Sequence, residues 1–100
     1  MKLHIYYVYI LQCADGSYYT GVTNNIERRL QEHLNGEDTR CYTFSRRPVI
    51  LKFQEAYHFV YEAISREKQI KGWTRKKKEA LISGDMNALK RLAKNRVINR

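Results

Sequence analysis

The chain is short of the residues from which several common kinds of site are built. Its two cysteines, Cys13 and Cys41, have no CxxC spacing and no histidine at zinc-ligand distance, which reads as reduced structural thiols. There is no Gly-rich phosphate loop and no Ser, His and Asp set of the hydrolase kind. No apolar run approaches the ~18 residues of a membrane span. The first residues, Met-Lys-Leu-His-Ile-Tyr-Tyr, carry no signal-peptide pattern, so a cytoplasmic protein with no membrane partner is expected. Acidic side chains are scarce as well, 10 against 19 Lys and Arg, and the imbalance is local. Residues 1–65 hold 7 basic and 7 acidic side chains while residues 66–100 hold 12 and 3, so the net charge of +9 lies in the last third. Such a surface favours a polyanion, most simply nucleic acid.

What is present is enough for one folded domain. At 100 residues and 43% hydrophobic, the chain can bury a modest core and is not disordered as a whole. The organising stretch is Tyr18 to Arg29. Tyr18 to Thr23 are β-branched or aromatic apart from Gly21, which reads as a strand with one point of close backbone approach. Ile5 to Gln12 reads as its hairpin partner, and loop length decides the register. A two-residue Asp15-Gly16 turn would put Tyr9 and Tyr19 on opposite faces. A three-residue Ala14-Asp15-Gly16 loop, with Gly16 left-handed, pairs residue 11 with 19 and 9 with 21. The second is expected, because it sets Gly21 opposite Tyr9, leaving room for the tyrosine ring or for a ligand beside it.

A helix is expected from about Asn25 to Leu34, capped by Asn24 with Glu27 as a capping box and stopped at Asn35-Gly36. Arg28 and Arg29 sit in its first turn, at the positive end of the helix dipole, a misfit that suggests an anion there. Ile26, Leu30 and Leu34 form the apolar stripe. Arg28 lies away from it, whereas Arg29 borders it on the same flank as His33. Arg29 either reaches an anion over the core edge or merely lays its stem along that edge.

Asn35 to Pro48 has no clear period, and loops of that length inside a domain are uncommon and often functional. This one interleaves Arg40, Arg46 and Arg47 with Tyr42 and Phe44, a mixture suited to phosphates and unstacked bases, or to a solvated loop pinned by two aromatics. Val49 to Tyr57 reads as a third strand, with Leu51, Phe53 and Tyr57 on one face and Ile50 and Ala56 on the other. A helix from about Val60 to Gly72 follows, with the stripe Val60, Ala63, Ile64, Ile70 and Trp73. Glu67 stands within that stripe, where a carboxylate must be paired, protonated or bound to a cation; Lys71 is one partner in reach. A short basic helix around Arg75, Lys76, Lys77 and Lys78, a break at Ser83-Gly84-Asp85, an amphipathic helix from Met86 and a frayed tail from Asn95 complete the chain.

Two tyrosines on one strand face, an arginine beside a histidine at a helix start and one carboxylate on a later helix can hydrolyse a phosphodiester. Glu67 can hold Mg²⁺ or Mn²⁺ through a partly retained water shell. Arg29 can neutralise growing phosphoryl charge, and a tyrosine can take the proton from water.

At this point the sequence resembles a known family. Tyr7-Val8-Tyr9, Tyr19-Thr20-Gly21, Arg29, His33, and Glu67 within Ala63-Ile64-Ser65-Arg66-Glu67 are similar to the motifs of the GIY-YIG nuclease domain. The small stand-alone bacterial subfamily is the nearest in pattern. The resemblance spans residues 4–82, leaving 83–100 as a basic C-terminal helix and tail. It implies an α+β fold, a three-stranded antiparallel sheet flanked by helices, and metal-dependent cleavage of DNA in repair or recombination. Carried over, Tyr9, Tyr19, Arg29 and His33 are the catalytic candidates, Glu67 the metal ligand for a single Mg²⁺ or Mn²⁺, and Gly21 a structural residue of the site. Arg28, Arg46, Arg47, Lys71, Arg75, Lys76 and Lys77 are the candidate nucleic-acid contacts. DNA is the expected partner; RNA, and a protein partner supplying specificity, are left open. The chain departs from the family pattern at Tyr7, where the family name has Gly. Val22 and Glu79 stand where the repair-incision relatives carry lysine and asparagine. A nucleic-acid-binding module without the chemistry is the alternative those departures favour.

Overall fold

Asp15 and Gly16 decide how the first two strands meet. The Cys13 amide bonds to the Ser17 carbonyl at 2.8 Å and the Gly16 amide to the Cys13 carbonyl at 2.9 Å, so the loop is Ala14-Asp15-Gly16. Gly16 takes φ 85°, a left-handed conformation that any side chain would strain. Asp15 Oδ1 accepts from the Ser17 amide at 3.0 Å and locks the turn. In this computed structural model, which describes residues 4–98, the loop joins β1 (Tyr6–Cys13) to β2 (Tyr18–Thr23) antiparallel. Leu11 faces Tyr19 and Tyr9 faces Gly21, the expected register. β1 lies one residue later than expected, because Cys13 still pairs with Val49.

The third strand, β3 (Val49–Tyr57), pairs antiparallel with the other edge of β1, giving the order β2-β1-β3. Here one expectation is corrected. Ile10 pairs with Phe53 but Leu11 with Leu51, so Lys52 is an extra residue bulged out of the ladder. The bulge switches the strand between faces. Val49 and Leu51 join Tyr9, Leu11 and Cys13 in one core, whereas Phe53 and Tyr57 pack in the other, with Val8 and Ile10. Leu51 therefore does not share a face with Phe53 and Tyr57, and Ile50 is not on the face of Ala56.

Each face receives its own helices. α1 (Ile26–Asn35) lays Ile26, Leu30 and Leu34 against Tyr9 and Leu11. Its N-cap is Asn25, not Asn24: Asn25 Oδ1 accepts from the Arg28 amide at 3.0 Å. The Glu27 capping box is therefore absent, and Asn24 instead accepts from the Arg28 guanidinium at 3.0 Å. Gly36, at φ 65°, closes the helix with its amide on the carbonyls of Glu32 and His33. The opposite face is covered by α2 (Val60–Lys71), α3 (Arg75–Ser83) and α4 (Met86–Ile98), through Ala63, Ile70, Ala80, Leu81 and Leu89. Val60 and Ile64, expected in the α2 stripe, are exposed, and the face that packs is Ala63, Arg66, Glu67 and Ile70. Asn95 to Ile98, expected as a frayed tail, continue α4, and the last two residues lie outside the described ones.

The bulge makes a sharp prediction. Deleting Lys52 would carry Val49 and Leu51 to the wrong side of the sheet, whereas Lys52→Ala leaves the count intact. The deletion should cost several kcal/mol, ~1.5–3 for each large apolar side chain taken out of its core, in urea unfolding, while Lys52→Ala stays within about 0.5 kcal/mol of the parent. Equal stability of the two variants would refute the role given to the bulge.

Candidate active site

The face of the sheet that carries α1 also carries Tyr7, Tyr9, Tyr19 and Gly21, by the register alone. The ring of Tyr9 lies across Gly21, and a β-carbon there would collide with the Tyr9 hydroxyl and ring tip. The space opposite Tyr9 is thus filled by its own ring. Tyr9 is 2% exposed. Its hydroxyl sits 3.0 Å from His33 Nε2, and the Arg29 charge acts on it. The rings of Tyr9, Tyr19 and His33 form a cluster, with centroids 6.3 Å apart for the two tyrosines and 5.2 Å for Tyr19 and His33.

One turn of α1 separates Arg29 from His33 and sets both over this cluster. The Arg29 guanidinium is held by Glu32 Oε1 at 2.9 Å and by the Val22 carbonyl at 3.3 Å. A cavity of about 370 Å³ opens beside it, lined by Tyr19, Arg29, Glu32, His33, Cys41, Thr43 and Phe44 among others. The site therefore brings Tyr9, Tyr19, Arg29 and His33 together. Glu67 does not line that cavity. It stands on α2, across the β2 edge, its carboxylate 3.4 Å from Lys71 Nζ, and Lys71 in turn lies 6.0 Å from the Tyr19 ring.

Protonation follows from burial. Desolvation pushes the Tyr9 hydroxyl above its usual range, opposed by the hydrogen bond and charge of Arg29. Tyr19 is raised too, by burial and then by its neighbours Tyr9 and Cys41. His33 moves the other way: burial and the Arg29 charge hold it below the ordinary histidine range, against Glu32. All three are neutral at neutral pH.

The candidate nucleic-acid contacts are dispersed. Arg28 is on the outer side of α1, 3.5 Å from Glu32. Arg46 stacks on Tyr42 at 3.8 Å and reaches Asp15. Arg47 bonds to the Leu34 and Phe44 carbonyls, closing the end of α1 over Gly36. Arg75 stacks on Tyr18 and bonds to the Gly16 carbonyl, Lys77 lies over Trp73, and Lys76 is exposed on α3. Sequence reasoning missed Glu32, which the i+3 and i+4 spacing to two arginines would have revealed, and Thr43 and Cys41, for which no periodic signal exists.

With the geometry in place, comparison supplies the class. The chain matches the GIY-YIG catalytic domain over residues 5–80 and belongs to that family, a family of nucleases. It is 45% identical over 82 residues to a UPF0213 protein of Bacillus pumilus (82% of this chain, 83% of the relative). A UPF0213 protein of Staphylococcus saprophyticus is 47% identical over 78 residues (78% and 94%). Two solution NMR structures share the fold. The UPF0213 protein BH0048 of Bacillus halodurans is 42% identical with TM-score 0.52, covering 79% of this chain and 83% of that one. The protein EF2693 of E. faecalis is 41% identical with TM-score 0.57, covering 86% and 88%. No helix among the described residues is long and apolar enough to cross a membrane.

Two outcomes are expected here. Gly21→Ala should cost about 1–3 kcal/mol in urea unfolding, since a methyl must displace a buried ring whose hydroxyl is held by His33; an unchanged midpoint would refute the close approach. The folded-state shift of His33 lies below its unfolded value of 6.5, so the unfolded chain binds the proton first and stability is lost as pH falls from there. A His33→Gln variant should lack that part of the slope, at most ~1.4 kcal/mol per pH unit; identical pH profiles for variant and parent would contradict the burial argument.

Proposed function

We propose that the chain is an endonuclease that hydrolyses DNA phosphodiester bonds with one divalent cation, Mg²⁺ or Mn²⁺, acting on branched or damaged DNA in repair or recombination. The observation that carries this reading is the buried Tyr9 hydroxyl, 3.0 Å from His33 Nε2 and under the charge of Arg29, two residues that with Tyr19 line the cavity. A scissile phosphate in that cavity would meet the Arg29 guanidinium, whose charge offsets what develops on the phosphoryl oxygens. Tyr9 would take the proton of the attacking water as its own proton passes to His33, so that no free phenolate has to form beforehand. Tyr19 would orient the water or a phosphate oxygen. RNA and a specificity-giving protein partner fit the same site less directly, since no residue at hand singles them out.

No group of three or more His, Cys, Asp or Glu able to hold a metal occurs among the described residues. The donor chemistry fits a hard cation bound by one carboxylate, water and substrate oxygens. Glu67 is the half-buried carboxylate on the packed side of α2, and a cation, Lys71, already lies against it. Glu67 would hold the ion, which when bound supplies Lewis-acid stabilisation of the phosphate and leaving oxygens. Lys71, Arg75, Lys76, Lys77 and Arg28 would engage backbone phosphates, giving salt-sensitive binding. The same Glu67 to Lys71 pair is the observation that favours the second reading, a nucleic-acid-binding module, because that carboxylate is already neutralised.

The deciding assay is nicking of supercoiled plasmid and of a branched DNA at low salt with Mg²⁺ or Mn²⁺. The parent should cut. Arg29→Ala and Glu67→Ala should each lose on the order of 10²-fold or more, and Tyr9→Phe about 10²- to 10⁴-fold. Equal cutting by parent and Glu67→Ala would mark a contaminant, and DNA shifted but uncut by both would establish the binding module.

A further inference from the structure

We propose that Thr43 is a positioning residue that holds His33 in the tautomer protonated at Nδ1, leaving Nε2 bare to receive the Tyr9 proton. Thr43 is 1% exposed, in the loop between α1 and β3, with no role assigned above beyond lining the cavity. Its Oγ1 lies 2.8 Å from His33 Nδ1 and 3.4 Å from Cys41 Sγ. A threonine hydroxyl has one proton. Given to Cys41 Sγ, it leaves the Thr43 lone pairs facing Nδ1, which must then carry the hydrogen. Cys41 Sγ lies on the same side of the ring, 4.0 Å from Nδ1.

The other side of the ring accommodates the same tautomer. Arg29 has only donors, and its charge acts on the Tyr9 oxygen, which favours that oxygen as an acceptor on its Arg29 side. The Tyr9 proton can then point to His33 Nε2, 3.0 Å away, which the Thr43 side has left bare to accept it. The chain of bonds is thus directed: Tyr9 O–H to Nε2, Nδ1–H to Thr43 Oγ1, Thr43 O–H to Cys41 Sγ. When Tyr9 gives up its proton, His33 becomes doubly protonated and both its N–H groups still have acceptors. The catalytic consequence rests on the nuclease reading; the tautomer does not.

The test is therefore first spectroscopic. Nitrogen chemical shifts of His33, in the ¹⁵N-labelled full chain near neutral pH, separate a bare ring nitrogen from a protonated one. Nδ1–H with bare Nε2 is expected in the parent and in Thr43→Ser. Thr43→Val, which keeps the shape and removes the acceptor, should shift the population towards Nε2–H. A parent with Nε2–H, or with both nitrogens protonated, overturns the proposal without any variant, as does a folded Thr43→Val with unchanged shifts. In the nicking assay Thr43→Val should lower the turnover rate on the order of 10²-fold with DNA affinity unchanged, and Thr43→Ser should restore most of it. If the parent shows the expected shifts but cuts nothing, the nuclease reading fails and the tautomer assignment stands; if it cuts and Thr43→Val cuts equally, the positioning role is wrong.

Discussion

The passage of the Tyr9 ring across the bare backbone of Gly21 is the contact on which the rest of the site depends. It exists only in one register of the hairpin, and that register is set by a loop in which Gly16 alone can take φ 85°. Shift the pairing by one residue and Tyr9 no longer crosses Gly21, and the hydroxyl that meets His33 loses its place. A turn of three residues thus governs the chemistry of side chains drawn from two strands, a helix and a loop. The second constraint is the Lys52 bulge, which lets one short strand serve two cores. One core seats α1 with Arg29 and His33, the other seats α2 with Glu67.

Much of this was legible in the sequence, for physical reasons that can be named. The hairpin register followed from turn chemistry, and the pairing of Arg29 with His33 from helical spacing, because both rules are local. The same is true of the position of Glu67 on the packed side of α2. The misses were of two kinds. Asn24 and Asn25 are chemically equal caps, and the side chain that ends β2 chooses between them. Thr23 Oγ1 accepts from the Asn25 amide at 3.1 Å, which fixes Asn25 as the first residue of the helix turn. The bulge at Lys52 leaves no mark on an alternating pattern, since every second residue of β3 is shielded on one face or the other. Val60 and Ile64 look like stripe residues, yet α2 turns Ala63, Arg66, Glu67 and Ile70 inward and leaves those two exposed. Thr43 had no pattern to betray it at all, since its burial comes from the fold of an aperiodic loop.

The long loop before β3 is better described by what it holds than by its lack of regular structure. Arg47 ties its end to the last turn of α1, Arg46 ties it to Asp15 of the hairpin, and Thr43 and Cys41 anchor its middle on His33. These bonds make the loop one wall of the cavity. They also commit two arginines that composition alone would assign to a polyanion, and charge counting therefore overstates how much of the positive surface is at liberty.

The arginines share one further arrangement. Arg46 lies over Tyr42, Arg47 over Phe44, Arg66 over Trp73 and Arg75 over Tyr18, each with its guanidinium carbon within 3.8 to 5.1 Å of the ring centroid. A free arginine side chain surrenders ~2 kcal/mol of rotamer freedom when a ligand fixes it. For side chains already laid flat on a ring, part of that loss is met when the protein folds, so Arg46 and Arg47 hold the loop at a smaller entropic cost, and Arg75, exposed on α3, would meet an anion from an ordered position.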